Sequence, residues 1–164
     1  MSRKAARRAA GFTIAELLIA LAVTAVLLAA IAVAFDASFV NYRENEDMFR
    51  AVNSARQALT RVTSQLRTAN AVDPNSAANE CSLITAGGDD ITYRFDSSNN
   101  GLYLDTGGNS YLLCDNVTAM TFNRSTATVE GVTYVESVQV SMTVASGGAE
   151  QSLAGAAVIR RNLQ

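Results

Sequence analysis

One carboxylate, Glu16, stands inside a run of apolar residues and is the only acid in the first 35 positions. A charged group at the centre of a membrane-spanning helix costs about 2.5–3.5 kcal/mol, and less towards the interface. A carboxylate in that position therefore calls for a counter-charge. Just ahead of it, Gly11 and Phe12 join the apolar run to a leader that carries Arg3, Lys4, Arg7 and Arg8 and no acid. The second pair of reactive groups is Cys81 and Cys114. In an exported domain two cysteines read as one disulfide, closing a loop that would contribute roughly 3–4 kcal/mol in the chain-entropy model. Two unpaired buried thiols are the alternative. Histidine is absent. That removes His-based acid–base catalysis, Ser-His and Cys-His nucleophile pairs, and the usual zinc ligand sets.

The element that must position Glu16 is a helix. Residues 17–35 hold no charge, and 19 helical residues span roughly 28 Å, close to a bilayer's hydrocarbon thickness. The basic leader stays cytoplasmic under the positive-inside rule, which sends the chain beyond Phe35 to the other side. Glu16 lies five residues into the block, where the helix N-terminus and the headgroup region relieve part of its cost. A rival processing site exists at Ala32-Val33-Ala34 ahead of Phe35, with the small-x-small form of a secretory cleavage site. Cutting there would release a soluble domain, although alanine-rich spans generate such triplets by chance and the block is long for a signal sequence.

The string Gly11-Phe12-Thr13-x-x-Glu16-Leu17-Leu18-Ile19 at the head of such a helix resembles the class III signal of type IV pilins and type II secretion pseudopilins. The resemblance implies that a prepilin peptidase cuts between Gly11 and Phe12 and methylates the new terminal amine. It assigns to Glu16 the carboxylate that sets filament register. The physics agrees: an amine on Phe12 and a carboxylate on a neighbouring subunit neutralise each other, and any other axial offset leaves a buried charge unpaired. The implied partners are other pilin or pseudopilin subunits along the helix, the peptidase, and an inner-membrane assembly platform.

Length allows one domain beside the anchor, not two independent cores. Removing the leader leaves 9 basic against 15 acidic side chains, a net charge of −6. So acidic a domain is poorly suited to non-specific nucleic-acid binding, which needs a basic footprint. Beyond Phe35 the helical signal continues, with Phe49, Val52, Leu59, Val62, Leu66 and Ala69 forming an apolar stripe. No proline or glycine interrupts residues 12–72, and Asp73-Pro74-Asn75 ends the helix. From Cys81 the period changes to two, in Ile91, Tyr93 and Phe95, and most clearly in Val138, Val140, Met142 and Val144. Turns are read at residues 97–101, 106–109 and 146–148, and a last strand at residues 151–160. The expected fold is α+β: a leader (residues 1–11), a transmembrane half-helix (12–35), an amphipathic half-helix (36–72) and an extracytoplasmic domain (73–164) with one antiparallel sheet covering the helix stripe.

Leu112-Leu113-Cys114-Asp115-Asn116-Val117, then Met120-Thr121-Phe122, the strand from Val138 to Val144, and the ending Ala157-Val158-Ile159-Arg160-Arg161-Asn162 are similar to J-type minor pseudopilins and W-type minor pilins. That resemblance implies a non-catalytic subunit of a filament's initiating tip complex. Two departures point away from a bulk filament subunit: Cys81 and Cys114 form no C-terminal loop, and Val33 stands where many major pilins carry proline. Two other classes stay open: a single-span anchored binding domain that does not polymerise, and a secreted soluble domain, such as an enzyme, that starts at Phe35. Asp96-Ser97-Ser98-Asn99-Asn100-Gly101 imitates half an EF-hand but lacks the closing glutamate and reads as a hairpin turn. Asp89-Asp90 reads as a solvated turn in preference to a calcium site. The sequons at Asn116 and Asn123 are short patterns with frequent chance hits, and the glycine pairs lie in turns, not phosphate loops. Neither a cofactor nor a metal is expected.

Overall fold

The computed structural model describes residues 11–159, so residues 1–10 of the leader and Arg160-Arg161-Asn162 lie outside the described residues. The chain divides into two compact units, Met1–Arg43 and Glu44–Gln164. A long helix, α1 (Ile14–Thr68), contributes to both. In the first unit the described residues are helix from Ile14 onward, and every one of them is exposed.

The second unit is α+β. Its helical part buries Ala51, Ala55, Ala58, Leu59, Val62 and Leu66, which recur at threes and fours and so share one face. This corrects the expected stripe at its start. Phe49 is 67 % exposed, and the face against the sheets is made of alanines instead. A strand also comes close to this helix at Gly155, where a Cβ would stand 3.0 Å from Thr63 Cγ2 and 3.4 Å from Leu59. The helix also ends earlier than expected. Ala71 and Val72 leave it to pair with a strand, while Asn70 donates its backbone N–H to Ile84 and its side-chain amide to the Thr85 carbonyl. Tertiary pairing overrides helix propensity there.

Among the described residues, eight strands follow. In chain order β1 (Ala71–Val72), β2 (Glu80–Ile84), β3 (Asp90–Asp96), β4 (Gly101–Thr106) and β5 (Asn109–Cys114) form a five-stranded antiparallel meander. The remaining three, β6 (Val117–Val129), β7 (Val132–Ser146) and β8 (Ala149–Val158), form a separate antiparallel sheet. The single sheet expected from the alternation is thus two. The break falls at Asn116, a non-glycine residue at φ 57° that turns the chain between β5 and β6. The β6–β7 hairpin turns through Glu130-Gly131, both at positive φ, the two-residue geometry that suits strand twist.

The inner faces of both sheets and the alanine stripe share one core, which includes Tyr93, Phe122, Val138, Val140, Met142 and Val144. Tyr93 is fully buried, and its hydroxyl donates to the Gln65 amide oxygen on the helix. The outer edge of β6 is covered by the segment after Pro74. There Arg124 donates to the carbonyls of Ser76 (2.9 Å), Ala77 (3.0 Å) and Glu80, and Phe122 N–H donates to Ala78 (2.8 Å). One side chain thereby ties the second sheet to the entry of the first.

Candidate functional site

Glu16 is the third residue of the helix and closes its first turn. Its Oε2 accepts from the Thr13 backbone N–H at 2.8 Å and from the Thr13 hydroxyl at 2.9 Å. In return Thr13 Oγ1 accepts the Glu16 N–H at 3.2 Å. This is a reciprocal capping box, which satisfies two backbone donors that a helix start leaves orphaned. The signal for it was in the chain all along, as Thr-x-x-Glu directly before an apolar run. Both bonds to the acid use one carboxylate oxygen; among the described residues Oε1 accepts none. Glu16 is therefore held in position by its own subunit while half of its carboxylate stays open to another group.

The Gly11–Phe12 bond lies in exposed, non-helical chain just ahead of this cap, and Phe12 is 82 % exposed. Nothing approaches within 4 Å of where a Cβ on Gly11 would be. Behind the cap, Leu17, Leu18, Leu21, Val26, Leu27, Leu28 and Val33 are all more than half exposed. The two hydroxyls near or within the apolar run turn back onto the helix itself, Thr24 donating to Ala20 O (2.7 Å) and Ser38 to Ala34 O (2.9 Å). Each hydroxyl is thus satisfied without water. The helix is long and apolar enough to cross a membrane. Such a surface, apolar all round, needs lipid or other helices to cover it.

The two cysteines are not brought together. Cys81 lies on β2 and Cys114 on β5, and both are buried, free thiols. Two strands separate them, so three ladder steps place their backbones about 14 Å apart. A disulfide needs Cα atoms within about 7 Å. The expected bridge is corrected on that ground: the meander that buries both thiols on one face also keeps them apart. Burial pushes the Cys81 thiol up, against the pull of the Arg124 guanidinium. Burial, with Asp115 beside it, raises Cys114 to about 11. Both stay protonated and inert at neutral pH.

The turn at Asp96 closes on itself, its carboxylate accepting from Ser98 N–H (2.9 Å) and the Asn99 amide (2.8 Å). Asp89 accepts from the Thr85 hydroxyl in the same way (3.4 Å). Among the described residues no group of three or more acids and cysteines is gathered that could hold a metal ion.

The chain matches the family model described as the prokaryotic N-terminal methylation motif over residues 6–32. No curated protein matches it. No solved structure does either. The matched segment contains Gly11, Phe12, the capping box and most of the apolar run. It supports a pilin-like protein that is processed by a prepilin peptidase and anchored by a single membrane pass.

Proposed function

We propose that this chain is a minor pilin or pseudopilin of the J-type and W-type kind, a non-catalytic subunit of the initiating tip of a type IV pilus or type II secretion pseudopilus. Cleavage after Gly11 leaves a methylated amine on Phe12. The apolar helix then exchanges lipid for neighbouring helices, and Glu16 Oε1 takes the amine of an adjacent subunit as its counter-charge. The domain that begins at β1 lies outside the cytoplasm and meets other minor subunits. The observation that carries this reading is a helix segment whose apolar side chains are exposed among the described residues, headed by one acid held in a capping box through a single carboxylate oxygen. The methylation motif over the same residues supports it.

The test is Glu16→Ala in cells. Membrane insertion should persist while incorporation into filaments is lost, because the acid is needed only for register. Normal incorporation of the variant would overturn the proposal. The intact mass of the recovered protein provides the second readout. A start at Phe12 plus one methyl group is expected; a start at Met1 or at Phe35 contradicts it.

A further inference from the structure

Among the described residues, the first sheet ends on an uncovered strand. β5 closes the order β1-β2-β3-β4-β5 and pairs with β4 alone. The N–H and C=O groups that residues 109–113 turn away from β4 have no hydrogen-bond partner among the described residues. Edges of the second sheet are guarded: the segment after Pro74 covers β6, and Arg67 donates to the Ala156 carbonyl of β8 at 3.3 Å. β5, read Asn109-Ser110-Tyr111-Leu112-Leu113-Cys114, carries neither charge nor proline, two devices that keep an edge from pairing. Tyr111 and Leu112 are each more than half exposed. The chain leaves the described residues at Ile159, which borders β1 and β2 at the opposite end of the sheet. Four ladder steps, about 19 Å, separate β1 from β5.

Positive charge lies beside that edge. Leu104, Tyr111, Leu112 and Leu113 line a cleft of about 360 Å³ together with Arg61 of α1. Arg61 shares an exposed stretch of the helix with Arg56, Thr60 and Ser64. Between Asp47 and Asp73 the chain holds no acid. Arg50 pairs with Glu46 at 2.6 Å, but Arg56 and Arg61 form no ion pair with any described carboxylate. Arg61 lies beside the Tyr93 hydroxyl, a neutral group that leaves its charge uncompensated.

An unpaired strand edge invites another strand, because each outward N–H and C=O lacks its ladder partner. We infer that β5 accepts an extended acidic segment of a neighbouring protein chain, added along its free edge. Carboxylates of that segment reach Arg61 and Arg56 on the α1 side, and its apolar side chains lie beside Leu112 on the other. The register supports this sidedness: Tyr111 pairs with Leu104, which is buried, and Leu112 pairs with Tyr103 on the opposite face. Backbone pairing gives the attachment and the two arginines give selectivity for acid. The inference rests on the proposed function only in taking the donor to be another subunit of the assembly.

The probe is a labelled eight-residue peptide in which valine alternates with two threonines and two central glutamates, titrated against the full chain in detergent micelles by fluorescence anisotropy. Saturable binding is expected, with amide shifts confined to residues 109–114 and 56–64. A central proline should abolish it, because it removes a ladder donor. Lysines in place of the glutamates should weaken it by about tenfold or more, and Arg56→Gln with Arg61→Gln, both at exposed positions, should remove that preference. No saturable binding, equal binding of the proline or lysine peptide, or a preference that survives the two substitutions overturns the inference. Two other occupants would overturn it as well. Binding that appears only in a chain ending at Ile159 makes residues 160–164 the occupant, and binding lost as the chain's own concentration rises makes it a second copy. None of these readouts involves Glu16 or filaments, so the β5 edge and the proposed function fail separately.

Discussion

The two units use one helix in opposite ways. Up to Arg43 the helix exposes its leucines, isoleucines and valines on every side, whereas from Ala51 to Leu66 it buries a single face and exposes the rest. Alanine is common in both parts. In the first it separates larger apolar residues around the whole circumference. In the second its buried members, Ala51, Ala55 and Ala58, lie on the face that the sheets approach, beside Leu59, Val62 and Leu66. Secondary structure is thus the same while the covering differs: the sheets of the same chain in one case and, under the proposed function, lipid or other subunits in the other. A helix surface left exposed contributes little to the stability of its own fold, and under the proposed function its side chains act at the level of assembly.

That contrast can be broken most directly with two leucines. Leu66 is fully buried and Leu21 is 71 % exposed. Leu66→Ala should lower the unfolding free energy of the full chain in micelles by about 2–5 kcal/mol, the range for a truncated core leucine. Leu21→Ala should change it by less than about 0.5 kcal/mol, as exposed substitutions do. Filament incorporation should reverse the order once folded protein is compared, with Leu21→Ala the weaker assembler. Denaturant titration followed by near-ultraviolet dichroism measures the first quantity. Equal destabilisation by the two substitutions would show that the helix before Arg43 has a partner within its own chain.

The thiols sharpen the same division, because they report the integrity of the second unit alone. In the folded chain neither Cys81 nor Cys114 should react with iodoacetamide at neutral pH, both being buried and held protonated. In denaturant without reductant both should react, giving two adducts by mass. A chain that gains none when unfolded would carry the bridge that the strand order excludes.

The helix of the first unit was legible in the sequence, since an apolar run without proline or glycine involves only local rules. The capping box was equally local, as Thr13 and Glu16 are three residues apart. The second unit was legible in period but not in partition. Alternation marks which residues face inward, yet it does not say which strands share a ladder, so two sheets read as one. Asp115-Asn116 and Gly131 are turn-forming residues, but no local rule says that the chain changes sheet at the first and reverses within one sheet at the second. Helix propensity extended α1 past Thr68 because the competing ladder with β2 involves residues more than ten positions away. The cysteines failed for the same reason: compartment and count suggested a bridge, and only strand order separates them.

The smallest expected effect concerns the polar face of the first sheet, where the second unit holds charges in pairs at the surface. Arg94 Nε donates to Asp105 Oδ2 at 2.8 Å and its guanidinium lies 5.3 Å from the Tyr103 ring centroid; Ser110 donates to the same carboxylate. The hydrogen bond from Arg94 is the main cause that holds the Asp105 carboxyl below its usual value. A carboxyl lowered in the folded state adds stability above its unfolded pKa, near 3.9, and loses it as pH falls through the folded value. The side chains are each about one-third exposed, so solvent screening limits the pair to about 1 kcal/mol or less. Asp105→Asn should therefore lower stability slightly at pH 7, and the difference from the parent chain should shrink below about pH 4. Raising salt at pH 7 should shrink it as well, because exposed pairs are screened. A difference that is independent of both pH and salt would mean that Asp105 acts through the geometry of its hydrogen bonds to Arg94 and Ser110, and that charge pairing plays no part in holding this face together.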